Sequence, residues 1–550
     1  MQPFRICIRG ERTQLMAKTL AVFSRILHER CELPVEIVAS PADLLLDLQP
    51  GIGDEGFLIE DTADGLRIAG NDERGLLYGV GKLLHGADYQ PGQFTPGTWR
   101  GVSVPECPLR GMYCALHNGW YSNAPVEELA RYFEELALWG FNTLAFHLTT
   151  IEDPAAPGAA TIQQRNHAVV AAAKAAGMKV ALLESPNIGY ASAPPEILAP
   201  MFPDTVPARR GDAGARICPS NPAGFAYLSE LLDRYLAGYE DLGIDYAVTF
   251  PYDAGGCGCA DCWPWGARGF VTISKEFYRL AQARYPGCQN IFATWCFDVL
   301  EEPDGEYDGL ASLLAADKRW VDYLMVDSHY DFPEYPLTHG APGGLPVINF
   351  AEISMWGRFP WGAYGANPLP ERFQRIWNQS KALLAGGLPY SEGNFEDINK
   401  VIFGQFFWNK EAQATDTLRE YIAFEYAPEA VAPVMEAIAL LEKNWLTESW
   451  RREEVTRAYE ILLAVDAQLP AWSRNAWRWR ILLLRALSDH EWVTYDALTD
   501  RRDAAYEELT RIYHVENGWQ CVSPRTRRRL AQLAGEAAEL PPGAELAAEI

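Results

Sequence analysis

Positive charge is in short supply in this chain: 47 lysines and arginines stand against 73 aspartates and glutamates among 550 residues, a formal charge of −26. A surface with that balance repels phosphate groups, which excludes nucleic acid or an anionic membrane as the main partner. The one basic cluster, Arg525, Arg527, Arg528 and Arg529, follows Pro524 at an expected helix start and reads as a solvated helix face. Also missing is any apolar run long enough to cross a bilayer. Residues 1–14 hold no long apolar stretch and no small-residue cleavage site, so the chain is expected to begin at its mature end and to work in the cytoplasm. Cysteine is sparse and odd in number, eleven in all, which argues against a disulfide framework and fits the same compartment. No repeat of fixed period and no low-complexity tract is visible.

What is present is core-forming material. Hydrophobic residues make up 48% and charged residues 22%, and the length points to about three domains. Aromatic content is 12% with 18 tryptophans, several of them beside glycine or proline in loops, such as Trp263, Trp265, Trp356 and Trp361. Most of the 18 are expected in cores; tryptophan in a loop also suits stacking on the apolar face of a sugar ring.

Residues 1–105 read as a small α/β domain, with strands at 4–9, 35–38, 56–59 and 66–69 and helices at 14–30 and 74–84. A proline-rich connector covers 91–108. Over 106–410, strand patterns recur at 111–115, 142–148, 179–184, 245–252, 290–296, 322–327, 346–351 and 388–391. Helical patterns separate them, at 161–176, 222–242, 272–284, 310–318 and 369–385, while the sixth interval, 330–345, shows none. Strand alternating with helix eight times predicts an α/β fold, a closed parallel (β/α)8 TIM barrel. From 411 to 550 long helical patterns dominate (430–445, 453–469, 475–489, 500–513), so an α-helical C-terminal domain is expected. Its tryptophans Trp445, Trp450, Trp472, Trp477 and Trp479 either pack on the barrel or form a homodimer contact.

A barrel of this kind carries its chemistry at the C-terminal strand ends. Three carboxylates there are the catalytic candidates: Asp253 after strand four, Glu352 after strand seven and Glu392 after strand eight, with Glu184 after strand three behind them. Glycoside hydrolysis needs such a pair, one to protonate the leaving oxygen and one to attack the sugar or activate water. Glu352 directly follows an apolar strand, a setting that suits a general acid. Glu396 and Asp397 open a helix and read as cap and dipole residues. His117, Trp120, His147, Trp295, Asp327, His329 and Trp356 are candidate substrate-binding groups.

Segment 66–84, LRIAGNDERGLLYGVGKLL, resembles the end of the α/β domain that precedes the barrel in family 20 β-N-acetylhexosaminidases and family 67 α-glucuronidases. The stretches LRGM at 109–112 and FHL at 146–148 resemble the openings of their barrels, and the added helical domain is similar to the α-glucuronidase layout. The resemblance implies an exo-acting glycosidase that removes a sugar from the non-reducing end of a small oligosaccharide, with β-N-acetylhexosaminidase-like specificity leading. It also implies that Arg110, at the start of strand one, holds sugar hydroxyls. One departure matters. Family 20 enzymes end strand four in adjacent Asp-Glu, whereas here Asp253 is followed by Ala254. An α-glucuronidase-like hydrolase is the alternative, and it calls for a cation to bind the sugar carboxylate; Arg110, Lys318, Arg319 and Arg358 are the candidates. A carbohydrate-binding barrel without catalysis is a rival from another class, and a zinc-dependent lyase or hydrolase a weaker one.

Cys257, Cys259 and Cys262 form C-x-C-x-x-C in the loop after strand four. Three thiols so close suit a tetrahedral soft ion, and Cys218 is the expected fourth ligand, with Cys296 in reserve. A structural zinc, reduced unliganded thiols and a disulfide or redox role all stay open; no cofactor is expected to be required for catalysis. Gly51-Ile52-Gly53-Asp54-Glu55-Gly56 matches G-x-G-x-x-G but precedes a strand and opens no helix, so a dinucleotide site is rejected.

Overall fold

The computed structural model describes residues 2–514 except 11, 40, 117–118, 189–191, 201–214, 253–254, 299–303, 330, 356–357, 359, 363–364 and 496–498. His117, Asp253, Trp356 and the arginine cluster at 525–529 therefore lie outside the described residues.

The chain opens with β1 (Phe4–Ile8), α1 (Gln14–Cys31), β2 (Val35–Ile37), β3 (Leu44–Leu48), β4 (Phe57–Thr62), β5 (Gly65–Gly70) and α2 (Glu73–His85). A hairpin, β6 (Asp88–Gln90) and β7 (Gln93–Thr95), and an edge strand, β8 (Gly101–Ser103), follow. The main sheet runs β2-β1-β3-β5-β4-β8. Sequence reading missed β3: LLLDL is the buried centre of a parallel pairing and shows no alternation to reveal it. Helix α2 starts where Asp72 accepts the Gly75 N–H at 2.9 Å. It also docks this domain on the barrel, because a Cβ at Gly81 would sit 2.1 Å from the Leu138 carbonyl oxygen.

The barrel follows, built from β9 (Leu109–Cys114), α3 (Gly119–Asn123), α4 (Val126–Leu138), β10 (Thr143–Phe146), α5 (Ala159–Ala175), β11 (Lys179–Glu184), α6 (Pro222–Ala237), β12 (Tyr246–Thr249), α7 (Gly269–Arg284), β13 (Gln289–Ala293), α8 (Glu306–Ala316), β14 (Tyr323–Ser328), α9 (Glu334–His339), β15 (Val347–Ala351), α10 (Pro370–Ser380), β16 (Leu384–Gly387), β17 (Tyr390–Ser391) and α11 (Asp397–Trp408). Every neighbouring pair is parallel, and β9 pairs with both β10 and β16, which closes the cylinder. Two expectations are corrected. The sixth interval does hold a helix, α9, but six residues bracketed by Pro333 and containing Pro336 are too few to display a helical period. The eighth strand begins at Leu384, inside the stretch read as helix. Gly386 takes φ +132° there, and a Cβ on it would lie 1.7 Å from the Leu109 carbonyl oxygen. Only glycine lets strand eight approach strand one so closely.

The remaining described residues are helical: α12 (Ala414–Glu425), α13 (Val431–Lys443), α14 (Arg452–Asp466), α15 (Ala471–Arg474), α16 (Trp477–Tyr495) and α17 (Asp500–Ile512). Helix α11 is buried between this layer and the barrel. Among the described residues no helix is long and apolar enough to cross a membrane.

Candidate active site

Strand phase decides which side chains enter the barrel. Phe250, just beyond β12, meets Phe350 of β15 with ring centroids 5.3 Å apart, and Tyr113 of β9 meets Phe350 at 5.6 Å. Those strands are not neighbours, so the rings touch across the interior. Side chains alternate along a strand and match across a pairing. The inward set near the C-terminal pole is therefore Tyr113, His147, Phe250, Trp295, Asp327, Phe350, Glu352, Tyr390 and Glu392.

The aromatic members form a floor. Trp295 stacks on Phe250 at 5.6 Å, Tyr390 stacks on Tyr113 at 5.2 Å, and Phe350 contacts Tyr390 at 5.7 Å. Two carboxylates stand on it, and Tyr390 is close to both. Its phenol donates to Glu392 Oε1, and its backbone forms a parallel bridge with Glu352. Burial first, then the negative fields of Glu392, Tyr113 and Glu352, push the Tyr390 hydroxyl well above its usual range, so it remains a donor at any working pH. Ser354 donates to Glu352 Oε1, and His329 Nδ1 lies 3.9 Å from Glu352 Oε2 while its ring sits 5.3 Å from that of Trp295. The structure thus brings Glu352, Glu392, Trp295 and His329 together and places His147 and Asp327 on the same inner wall. Tyr390 is the residue that sequence reading passed over. It stands two positions before Glu392 on one strand, and the period of two was the signal that could have found it.

The loop carrying Glu392 is braced from behind. Glu396 Oε1 accepts the Glu392 N–H at 2.9 Å, and its Oε2 accepts the Ser391 hydroxyl at 2.9 Å and the Gly393 N–H at 3.2 Å. Lys400, fully buried, lies 3.5 Å from Glu396, donates to Gly393 O, and reaches the Tyr132 hydroxyl at 2.9 Å. Burial raises the Glu396 carboxyl and lowers the Lys400 ammonium, and the opposite charge of each partner works against those shifts. Glu396 and Asp397 are the cap and first-turn residues expected from sequence, Glu396 accepting the Gly393 N–H in a capping box, and their burial makes them organisers of the loop as well.

Other expectations are corrected by placement. Arg110 points outward at the N-terminal pole, where it donates to Glu55 Oε2 at 2.5 Å, Gly140 O at 2.8 Å and Cys107 O at 2.9 Å. It holds the first domain to the barrel and is far from the strand ends that carry the carboxylates. Lys318 and Arg319 precede β14 and share that pole; Arg319 is exposed and pairs with Asp317. Trp120 turns away from the mouth, donating to Glu128 and packing on Tyr132 at 5.2 Å. Of the four candidate cations for a sugar carboxylate, Arg358 alone is on the Glu352 loop, and the charges of both Arg358 and Glu352 act on the half-buried Arg372. Arg372 in turn donates to His329 O at 2.9 Å.

Glu184 pairs in register with Thr249, whose hydroxyl is 2.6 Å from that of Tyr278 on α7, so both side chains face the helical layer. It accepts from Thr150 at 2.9 Å, and Oε2 has no hydrogen-bond partner among the described residues. Burial pushes its pKa up from 4.5 to about 8. Between those values the folded chain holds a proton that the unfolded chain releases, so stability falls as pH rises through that window. Glu184→Gln is expected to gain stability over the parent from pH 5 to pH 8, by on the order of 4 kcal/mol at most. Urea midpoints at the two pH values check it; an unchanged difference would show that Glu184 titrates normally.

Neither a family model nor a curated protein sequence matches the chain. Solved structures do. A family 115 4-O-methyl-α-glucuronidase with specificity for decorated arabinogalactans is similar over 98% of this chain and 80% of its own, with a TM-score of 0.61 at 16% identity. A family 138 enzyme targeting pectin rhamnogalacturonan II covers 93% and 71%, with a TM-score of 0.55 at 11% identity. The family 20 exo-β-N-acetylglucosaminidase of Vibrio harveyi covers 78% and 74%, with a TM-score of 0.52 at 13% identity. What the chain shares with them is the fold. The expected likeness to α-glucuronidases and hexosaminidases is present at that level, as a barrel with flanking domains.

Proposed function

We propose that this protein is a glycoside hydrolase that removes a terminal sugar by paired carboxylate catalysis, with Glu352 and Glu392 as the reacting pair. The observation that carries the reading is the placement of both carboxylates beside one half-buried tyrosine on an aromatic floor at the barrel mouth. Glu352 has His329 Nδ1 3.9 Å away and lies within electrostatic reach of Arg372, a setting that suits a carboxylate. It is assigned the base or nucleophile role, reversing the expectation from its apolar strand. Glu392, nearly solvent-free and held by Tyr390, is assigned the general acid. Asp253 stays a third candidate from sequence alone.

The sugar proposed is a hexuronic acid. Arg358 follows Glu352 in the same loop and Arg372 is within electrostatic reach of both, so cations for a sugar carboxylate are at hand, and the adjacent Asp-Glu expected of an acetamido-assisted reaction is absent at strand four. An N-acetylhexosaminide is the second reading, the specificity that the sequence resemblance put first.

The test is a panel of nitrophenyl α- and β-glycosides: glucuronide, N-acetylglucosaminide, glucosaminide and galactoside. Cleavage of a glucuronide alone supports the proposal, and cleavage of an N-acetylglucosaminide selects the second reading. Saturable binding of uronate oligosaccharides with no turnover would instead make the barrel a binding protein. Tyr390→Phe, which removes one charge-assisted hydrogen bond of about 1.5–3 kcal/mol, is expected to lower kcat by about tenfold to a hundredfold. Steady-state kinetics check this, and an unchanged kcat would remove Tyr390 from the site.

A further inference from the structure

Four cysteines from two separate loops meet at the C-terminal pole. Cys218 lies between β11 and α6; Cys257, Cys259 and Cys262 lie between β12 and α7. Their sulfurs are all within 4.8 Å of one another, and Cys218 Sγ is 3.7 Å from Cys259 Sγ and 3.9 Å from Cys262 Sγ. A disulfide would need one partner at about 2.05 Å. Cys218 is instead nearly equidistant from two, the arrangement of four ligands around a shared centre. With metal–sulfur bonds of about 2.3 Å, a tetrahedral zinc thiolate has sulfur–sulfur edges of about 3.8 Å.

The surroundings also suit a dianionic centre. The Ser220 hydroxyl sits 3.0 Å from Cys262 Sγ, and the backbone amides of Ser220, Asn221 and Cys259 act on the neighbouring sulfurs in the sense that favours thiolate. Such donors neutralise thiolate charge and fix ligand orientation. Three of the four cysteines are buried and Cys259 is partly exposed, which leaves a route of entry. The two loops are already tied without metal: Asn187 donates to Ile217 O at 3.0 Å and Gly256 O at 2.9 Å, and accepts the Gly256 N–H at 3.0 Å. The cradle is thus held in shape by bonds that do not involve sulfur.

We propose that Cys218, Cys257, Cys259 and Cys262 bind one structural zinc ion per chain. Four thiolates select a soft ion with tetrahedral preference and leave no open position, so the ion braces two barrel loops and takes no part in hydrolysis. The braced loop after β12 is the one in which Asp253 stands in the sequence.

The test uses the full chain, stripped of metal under reducing conditions. ZnCl2 is added, excess removed by gel filtration, and retained zinc measured by mass spectrometry. One equivalent is expected in the parent and almost none in Cys218→Ser or Cys259→Ser. CoCl2 in place of zinc should give the visible d–d and near-ultraviolet thiolate charge-transfer bands of a tetrahedral sulfur site; this readout needs no variant to fold. Folded parent that retains no zinc and shows no cobalt bands would overturn the proposal. So would a purified protein with an iron–thiolate spectrum, or four thiols that react freely with Ellman's reagent in the presence of zinc. None of these readouts depends on glycosidase activity.

Discussion

Glu352→Gln and Glu392→Gln are each expected to lower turnover by about a hundredfold or more while leaving the melting temperature almost unchanged. The amide keeps the volume of the acid and an oxygen to accept from Ser354 or Tyr390, so the local packing survives. What is lost is the ability to give or take a proton, or to attack the sugar. The two variants should fail differently. If Glu392 is the acid, Glu392→Gln will still cleave a dinitrophenyl glycoside, whose leaving group needs no proton, at close to the parental rate. If Glu352 supplies the base or nucleophile, Glu352→Gln will be slow on every leaving group, and Glu352→Ala, which opens room for the anion, will be partly rescued by azide. Parental rates in both variants would remove the pair from the chemistry; exchanged patterns would exchange their roles.

Arg478→Met is expected to destabilise the fold by about 3–5 kcal/mol, because it strands carboxylates that burial has already stripped of water. The guanidinium sits on α16 and reaches Asp397 of α11 at 2.6 Å, Glu135 of α4 at 2.9 Å and Glu425 of α12 at 3.7 Å, with its carbon 4.3 Å above the Trp477 ring. Burial alone would raise the carboxyls of Asp397 and Glu135; Arg478, joined by Arg131 at Glu135 and by Lys400 and Tyr132 at Asp397, outweighs it and holds both below their ordinary values. Without that charge the same groups would take up protons in the folded state. The stability deficit should therefore shrink as pH falls from 8 towards 5. Urea denaturation at both values, with the m-value unchanged, is the measurement. A loss below about 1 kcal/mol would mean that the cluster relaxes towards water. Because Asp397 also accepts from Tyr132, which contacts Lys400 behind the Glu392 loop, a lowered kcat should accompany the deficit.

Much of this was legible along the chain, and the misses have physical causes. Strands β11 and β15 stand out because each is an apolar run closed by a carboxylate, and the two helices after Thr13 and Asp72 announce their own caps. Strand β16 did not, because its defining property is the close approach of Gly386 to Leu109, a contact across 277 residues. Arg110 was misplaced for a related reason. It begins a strand, so it points to the pole opposite the chemistry, and its partner Glu55 belongs to another domain.

The alternation of strand and helix, the change to an all-helical C-terminal region and the clustering of thiols after the fourth strand can all be read from the chain alone. All are local patterns of polarity and spacing, carried by neighbours within a few residues. Which carboxylates share the barrel mouth depends on the folded cylinder. Glu184 and Glu352 both end apolar strands, yet register turns the first outward to α6 and α7 and the second inward to Tyr390. A period of two sends successive side chains to opposite faces, and it takes closure of the cylinder to say which face is the inside.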